Sequence, residues 1–235
     1  MNWSTFGNML YLDWYYIVLV VPMIIISFIA QASVKSNYRK FSRIANSRGL
    51  TGAMAAEKLL SHYGVNNVRI EPVAGVLSDH YDPRSNVIRL SEGVYNAQSV
   101  SAVCIACHEA GHATQHAEGY TPIKIRDSII PVCNIGSRFG IPLALLGYVF
   151  GIEPLITIGI VLYSLVFFFQ LITLPVEFNA SSRALSFISE TGLLSEDEHK
   201  GAKKVLKAAA MTYVAAAATT LANILRLILR MRRRS

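Results

Sequence analysis

The sequence has few charged residues. Only 16% of its 235 residues are Asp, Glu, Lys or Arg, against about 25% in ordinary soluble domains. Acidic residues are the scarcest, with 15 against 22 Lys and Arg, so the net charge is +7. Disordered chains need low hydrophobicity and high charge, and the 52% apolar composition therefore excludes disorder. The shortage of charge, combined with long apolar runs, also argues against an ordinary soluble globular protein.

Cysteine is scarce as well. The three Cys are an odd number and too few for a disulfide scaffold. The basic residues stand beside apolar segments, a placement that fits membrane topology better than phosphate recognition. We therefore expect a lipid bilayer as a partner and no nucleic acid.

Three apolar runs predict transmembrane helices, at residues 14–30, 129–150 and 155–174. A spanning helix needs about 20 mostly apolar residues. The last two runs are separated by only four residues and should form a transmembrane hairpin. A cleaved signal peptide is the alternative for the first run, but it needs a basic segment ahead of the apolar one. Residues 1–13 contain no Lys or Arg, so we favour a membrane anchor.

The basic residues predict the orientation of these spans. Five of them follow the first run within residues 31–48, and no acidic residue stands among them. The positive-inside rule then places the N-terminus outside and the following region in the cytosol. The hairpin returns the chain to the cytosol before residue 175.

The Ala-rich stretch from Tyr213 to Leu229 allows two interpretations. If it spanned the membrane, the cluster Arg230, Arg232, Arg233 and Arg234 would lie outside, against the topology rule. We favour a helix that packs on the soluble domain or lies along the cytosolic interface, with the Arg cluster on anionic lipid. The second interpretation, a fourth transmembrane helix, is kept as the alternative.

The region between the first two spans predicts a small mixed domain. Thr51–Tyr63 is typical of a helix with Thr51 as its N-cap and Gly64 after its end. Three β-type segments follow, at 68–73, 76–81 and 86–91, and the turn residues 82–85 join the last two into a hairpin. A second helix is predicted over Gln98–Ala117, with Ser99 as a cap.

This second helix contains the sequence His108-Glu109-Ala110-Gly111-His112, an HExxH pattern. Residues at i and i+4 share one helix face, so the two imidazoles can hold one Zn²⁺ while Glu109 points toward a zinc-activated water. Bound zinc lowers the pKa of water, and a carboxylate can take the proton. Gly111 is costly inside a helix and makes sense if another backbone or a ligand approaches there.

A second pattern overlaps the first. Cys104-Ile105-Ala106-Cys107-His108 matches CxxCH, the c-type haem attachment sequence. Haem attachment of this kind takes place outside the cytosol, whereas the predicted topology puts this helix in the cytosol. Cys104 and Cys107 could supply only two zinc ligands, and the sequence has no second CxxC to supply the other two. We interpret both Cys as packing residues of the helix.

The third metal ligand should come from another helix. His116 is about 12 Å along the helix axis from His108 and cannot join the same ion with both other histidines. Glu177 is the best candidate, because it follows the third span directly and Pro175 suits a helix start. The alternative carboxylates belong to a segment rich in charged residues that should be exposed to solvent: Glu190, Glu196, Asp197 and Glu198.

Residues 77–84, 87–91 and 108–116 together resemble the YugP-like membrane zinc metallopeptidases, and the resemblance covers most of the chain. The chain is more distantly similar to the HtpX-like and CAAX prenyl membrane proteases, which carry HExxH on one helix and a Glu in an ExxxD-type motif on a later one. Glu177 matches that Glu, whereas Ser181 stands where the family has Asp. The resemblance implies a peptidase and names no substrate.

These observations predict a mainly α membrane protein with a small α+β zincin-like domain, three transmembrane helices and a possible fourth. The expected regions are an anchor at 1–33, a cytosolic zincin-like domain at 34–127, a transmembrane hairpin at 128–174, a helical segment bearing the third ligand at 175–210, and the apolar helix with its Arg-rich tail at 211–235. His108, His112 and Glu177 would hold one zinc ion per chain, and Glu109 would be catalytic.

The predicted activity is that of a zinc-dependent endopeptidase facing the cytosol and acting on peptides or proteins. The strand at 86–91, or its hairpin mate, would offer an edge for an extended peptide. Single candidates for stabilising the oxyanion are His80, Tyr81, His116 and Arg183. The alternatives are a non-catalytic zinc-binding membrane scaffold and, less favoured, a c-type haem protein.

Overall fold

The computed structural model describes residues 13–232, in which long helices dominate. The helices are α1 (Val21–Phe41, preceded by a π-helical segment Tyr16–Val20), α2 (Gly52–His62), α3 (Glu92–Tyr95), α4 (Val100–Ala117), α5 (Thr121–Phe150), α6 (Glu153–Glu190) and α7 (Glu196–Arg232). The strands are β1 (Arg69–Val73), β2 (His80–Asp82) and β3 (Val87–Ser91). Two compact units divide the chain: the first unit takes the described residues up to 30, 125–173 and those from 212 onward, and the second unit takes 31–124 and 174–211.

Four helices in the described residues are long and apolar enough to cross a membrane. They are Tyr16–Phe41, Thr121–Phe150, Glu153–Glu190 and Glu196–Arg232. Each of the three apolar runs expected to span is therefore part of a suitable helix. The fourth helix contains the Ala-rich stretch whose role the sequence left open.

In the first unit, small residues bring α5 and α6 together. Gly136, Gly140 and Ala144 recur at every fourth position of α5. A Cβ added to Gly136 would lie 2.3 Å from the carbonyl oxygen of Leu162, and one added to Gly140 would lie 2.9 Å from the backbone nitrogen of Tyr163. Small residues at this spacing let two membrane helices approach backbone to backbone. The two helices therefore form the close hairpin that the short connection predicts.

The described end of α7 also belongs to the first unit. Thr219 lies 3.1 Å from the Ser27 hydroxyl, and the Tyr148 hydroxyl donates to the carbonyl of Leu227. Arg226 Nε lies 3.1 Å from a carboxylate oxygen of Asp13. Residues 212–232 are thus grouped with the other apolar helices, which favours the fourth-span alternative. Arg233 and Arg234 of the tail, like residues 1–12 of the N-terminal anchor, lie outside the described residues.

Helix α6 is continuous from Glu153 to Glu190 and contains Pro175 in its interior. The expectation that a helix starts at Pro175 is therefore wrong. Proline lacks an N–H and cannot donate to the carbonyl four residues earlier, but this loss can be tolerated inside a long packed helix. As a result, one helix carries both the third apolar run and Glu177.

In the second unit, the two predicted helices form with the predicted caps. The Thr51 hydroxyl accepts a hydrogen bond from the backbone N–H of Met54 at the start of α2, and the Ser99 hydroxyl accepts one from Ala102 at the start of α4. Gly64 follows α2 with a φ of +70°, which a glycine adopts without strain. The core of this unit packs α2 against α4, and it includes the buried side chains Leu59, Leu60, Val103 and Ala106.

The small sheet has the strand order β1-β3-β2. Strands β2 and β3 form the expected antiparallel hairpin, and the Asp82 carboxylate accepts a hydrogen bond from the backbone N–H of Arg84 in the turn. Strand β2 is shorter than predicted because Leu77 has a positive φ of 57°, which interrupts the extended backbone. Strand β1 pairs with β3 in parallel, so β3 is central and β2 forms an edge.

Candidate metal centre

The HExxH sequence lies in the middle of α4, and its two histidines face the same side of the helix. The ring centroids of His108 and His112 are 4.7 Å apart. Glu109 and His112 are buried, each with 9% of its surface exposed. The spacing of four residues places the two imidazoles one helical turn apart, as the sequence predicted.

Helix α6 brings Glu177 to these two histidines. A carboxylate oxygen of Glu177 lies 3.4 Å from His108 Nε2 and 3.6 Å from His112 Nε2. In the described residues, these three side chains form a group that can hold a metal ion, with one ligand atom from each lying within 4.8 Å of the others. The sequence-based choice of Glu177 therefore agrees with the geometry.

The donor set fits zinc. Zinc in proteins prefers tetrahedral nitrogen and oxygen ligands at about 2.0–2.1 Å, which places neighbouring ligand atoms about 3.3 Å apart. The measured separations of 3.4 and 3.6 Å between Glu177 and the two imidazole nitrogens are close to that value. Three protein ligands leave one tetrahedral position open, which is the arrangement of catalytic rather than structural zinc sites.

Of the other carboxylates named from the sequence, Glu190 is exposed at the end of α6, and the remaining three have other partners. Glu196 and Asp197 lie in the first turn of α7, where both form ion pairs with Lys200. Glu198 accepts hydrogen bonds from Ser47 and from the backbone of Ser195. Acidic side chains in the first turn stabilise a helix through its dipole, which gives these residues a structural role.

Gly111 allows the two ligand-bearing helices to approach closely. A Cβ added to Gly111 would lie 2.9 Å from the carbonyl oxygen of Ala180 and 3.3 Å from its Cα. The position of a glycine inside a helix predicted such a close approach of another backbone, and Ala180 supplies it. Because Ala180 is three residues after Glu177, the same contact holds the Glu177 carboxylate near the histidines.

The Nδ1 atoms of the two histidines have protein partners on the side away from the ligand atoms. His112 Nδ1 lies 3.0 Å from Oε1 of Gln115, and His108 Nδ1 lies 3.1 Å from the hydroxyl of Ser181. Such partners fix the ring orientation and leave Nε2 available to a metal. Gln115 was not among the site residues predicted from the sequence. Its signal was its position three residues after His112, which makes the two side chains neighbours on the helix.

The hydrogen bonds around Gln115 define which nitrogen of His112 carries a proton. Gln115 Nε2 donates to the carbonyl of Val176 and to Oδ1 of Asn179, both at 2.9 Å. Arg183 Nε, which can only donate, also bonds to this Asn179 oxygen at 2.8 Å. Gln115 must therefore present its Oε1 to His112, so in the neutral imidazole Nδ1 donates and Nε2 has the lone pair that a metal ligand needs.

Negatively charged side chains surround His112. Burial alone would lower the pKa of the His112 imidazole, but the Glu177 carboxylate, 3.6 Å from Nε2, and the charge of Glu109 outweigh burial, so the pKa lies above the ordinary value. Two carboxylates thus stabilise positive charge at this point, which a bound divalent cation would satisfy.

The two cysteines of the CxxCH pattern face the core. Cys104 and Cys107 are fully buried, and the Cys107 sulfur lies 3.8 Å from the carbonyl of Ala55 on α2. Covalent haem attachment needs accessible sulfurs and His108 as an axial ligand, whereas His108 here faces Glu177. The interpretation of both cysteines as packing residues is consistent with these contacts.

The candidates for oxyanion stabilisation all have other contacts. The Tyr81 hydroxyl donates to Asn86, and the Tyr81 ring lies 5.4 Å from the ring of His116. Nδ1 of the exposed His80 lies 2.8 Å from the carbonyl of Ser78. Arg183 pairs with Glu118 at 2.7 Å. These contacts give each residue a structural role.

Comparisons with known proteins agree with the geometry of the site. Residues 16–232 match the family model described as "Putative neutral zinc metallopeptidase". The chain is also similar to the "Putative membrane protease YugP" of Bacillus subtilis (strain 168), with 48% identity over 214 residues, which are 91% of this chain and 95% of the relative. No solved structure matches the chain with significance. Because the family model spans nearly the whole chain, the chain belongs to this family of zinc metallopeptidases.

Proposed function

We propose that the protein is a membrane-bound zinc endopeptidase whose active site faces the cytosol. The observation that carries this proposal is the buried Glu109 carboxylate next to the group formed by His108, His112 and Glu177. A purely structural zinc site needs no additional carboxylate of this kind. The family and the membrane protease relative support the same activity.

His108, His112 and Glu177 would hold the zinc ion. Bound zinc supplies a Lewis acid that polarises the scissile carbonyl and makes water acidic enough to attack it. Glu109 would take the proton from the attacking water and pass it to the leaving amine nitrogen. Gln115 and Ser181 would keep the two imidazoles oriented during this reaction.

Strand β2 would bind the substrate backbone. The sequence left open whether residues 86–91 or their hairpin mate present an edge, and β3 has a partner on both sides in the sheet. Only β2 of that pair can accept another strand, and β2 lies next to α4 through the Tyr81–His116 contact. An extended peptide added to this edge would be held by backbone hydrogen bonds, with little dependence on its side chains.

For the topology we propose four spans with both termini outside. The basic residues after the first span support a cytosolic position for the second unit. In the first unit, Asp13 contacts Arg226 and Arg230 near the end of α7. If residue 13 lies outside, this end of α7 lies outside too, and α7 crosses the membrane. Pairing with Asp13 gives the two arginines a partner there, although the positive-inside rule disfavours the arrangement.

A non-catalytic scaffold that keeps a structural zinc is the second candidate. A set of three variants separates it from the peptidase. In Glu109→Gln we expect one zinc per chain and no cleavage, and in Glu177→Ala we expect the loss of both zinc and cleavage. The exposed Glu57 on α2 is the matched control, so Glu57→Gln should retain both.

Zinc is measured by atomic absorption on purified protein, and cleavage with a library of quenched fluorescent peptides. Cleavage by Glu109→Gln at the wild-type rate would overturn the mechanism. A wild-type protein that holds zinc but cleaves no peptide supports the scaffold. The topology is tested with cysteines placed singly in the hairpin turn at Ser85 and in the connection at Ile152, where an impermeant reagent should label only the second from outside the cell.

A further inference from the structure

Arg138 lies in the middle of the apolar part of α5. It is ten residues after Ser128 and twelve before Phe150, and no other charged residue occurs between them. At 1.5 Å per residue, each end of this segment is about 15 Å or more away along the helix. This distance is beyond the reach of an arginine side chain, so Arg138 cannot place its charge at either interface if α5 spans the membrane as proposed.

Arg138 also points away from the neighbouring helix. Gly136 and Gly140 are the contact points of α5 with α6, and Arg138 is rotated by about 200° from each of them. The side chain is exposed, and its guanidinium lies 5.9 Å from the centre of the Phe139 ring. In residues 13–232, no carboxylate forms an ion pair with Arg138.

Two further polar residues are exposed on this side of α5. Asn134 is one turn before Arg138, and Ser137 is its neighbour. Exposed apolar residues flank them, including Ile135 and Phe139. Charged side chains inside a membrane are costly and almost always face a protein partner or water. The face made by Asn134, Ser137 and Arg138, called here the α5 polar face, therefore needs a partner.

We infer that the α5 polar face binds a transmembrane helix of another membrane protein, one that carries an Asp or Glu at the depth of Arg138. In hydrocarbon a carboxylate can both neutralise the guanidinium and accept two of its hydrogen bonds. Asn134 and Ser137 add neutral hydrogen-bonding groups of the kind that join membrane helices. This inference rests on the proposed span of α5.

A second copy of this chain does not supply the missing charge. The apolar segments 14–30, 129–150, 155–174 and 212–232 contain no Asp or Glu. Two copies related by a two-fold axis at this face would bring their Arg138 side chains together, which like charges disfavour. The carboxylate must therefore come from a different protein.

The test uses the full-length protein in lipid vesicles and a synthetic Leu-rich transmembrane helix with one central Asp. A matched helix has Leu at the same position, and association is measured by energy transfer between dyes on the two partners. We expect the Asp helix to bind wild-type protein at least ten times more tightly than the Leu helix does. Arg138→Leu should abolish the difference and Arg138→Lys should keep part of it, whereas Arg43→Leu, outside the spans, should leave it unchanged.

Equal binding of the two helices, or a difference that survives Arg138→Leu, would overturn the inference. So would self-association of the wild-type protein that depends on Arg138. The comparison of the two helices on wild-type protein and on Arg138→Lys decides the question even if Arg138→Leu fails to fold. Alkaline extraction of wild-type vesicles is measured in parallel, because a protein released by alkali would contradict the proposed spans rather than the partner.

Discussion

Gln115 accepts a hydrogen bond from His112 Nδ1 through its Oε1, while its amide nitrogen donates to the carbonyl of Val176, the residue before Glu177. One side chain thus orients a histidine of the HExxH sequence and also holds the helix that brings the third ligand. Removing a residue that hydrogen-bonds to a metal ligand typically lowers metal affinity by about 10- to 100-fold. We expect Gln115→Met to weaken zinc binding by that factor, measured by competition with a chelator.

Gln115→Glu separates the two roles. A carboxylate still accepts from His112 Nδ1, but it cannot donate to Val176 or Asn179. If orienting His112 is the important contact, Gln115→Glu should bind zinc within a few-fold of wild type. Zinc binding as weak as in Gln115→Met would show instead that the tie between α4 and α6 matters. The absorption spectrum of the cobalt-substituted proteins reports whether the ligand geometry is kept.

Ser181 makes the corresponding contact with His108, at 3.1 Å. The distantly similar proteases have Asp at this position, and a carboxylate accepts a hydrogen bond more strongly than a hydroxyl does. We expect Ser181→Asp to bind zinc more tightly than wild type and Ser181→Ala to bind it less tightly, in the same chelator competition. The opposite order would mean that the extra negative charge near Glu177 disturbs the site more than the stronger hydrogen bond improves it.

Gly111→Ala should force α4 and α6 apart, because the new Cβ would lie 2.9 Å from the carbonyl oxygen of Ala180. Overpacking of this kind costs about 1–3 kcal/mol of unfolding free energy. The separation of Glu177 from the two histidines should increase as well, so zinc affinity should fall. Both quantities are measured, by denaturant unfolding of the zinc-free protein and by chelator competition.

The control is Gly64→Ala. Gly64 has a φ of +70° and no atom within 4 Å of an added Cβ, so alanine there is strained without contacting the site. We expect lower stability with unchanged zinc affinity. A loss of zinc affinity equal to that of Gly111→Ala would mean that general destabilisation, rather than helix separation, weakens the site.

The sequence predicted the parts of this site that depend on local spacing. His112 is four positions after His108 on the same helix, so their common face follows from helix geometry alone. The caps at Thr51 and Ser99 were also local and are confirmed. Gln115 was not predicted as a site residue, although it is three positions after His112, and its partner Val176 is 61 residues away in the chain. No local pattern could show that contact.

Pro175 shows why the helix boundary was misplaced. Proline at the start of a helix is common, and a proline just after an apolar run is therefore typical of a new helix. The cost of keeping it inside α6 is set by the packing of the whole helix, which sequence spacing does not reveal. The parallel pairing of β1 with β3 was not predicted either. Parallel strands are joined by a crossover connection and not by a tight turn that a local pattern would reveal.

Cys104 and Cys107 should not react with alkylating reagents in the folded protein. Burial raises the pKa of Cys104 to about 12 and the pKa of Cys107 well above its ordinary value. The reactive thiolate is therefore almost absent at neutral pH, and reagents have no access. Mass spectrometry should find both residues unlabelled by iodoacetamide in the native protein and labelled after unfolding. Labelling of Cys104 in the native protein, or a haem attached to it, would contradict the packing role.

Asp13 and Arg226 should stabilise the first unit through their ion pair. Their side chains are 21% and 2% exposed, and Arg226 also stacks on the Tyr16 ring at 4.8 Å. Removing one partner of a fully buried pair costs about 3–5 kcal/mol, because the other charge stays buried. Since Asp13 is partly exposed, we expect Asp13→Asn to lower the free energy of unfolding in detergent by about 2–3 kcal/mol.

A double variant distinguishes the pair from other effects at these positions. If Asp13→Asn destabilises by leaving the Arg226 charge without this carboxylate, then Asp13→Asn combined with Arg226→Leu should be less destabilised than the sum of the two single variants. Glu153→Gln, an exposed acidic residue of the same unit, should change stability by less than about 1 kcal/mol. Strict additivity of the two single variants would show that the contact contributes nothing to the first unit, and it would remove the main support for placing the end of α7 beside residue 13.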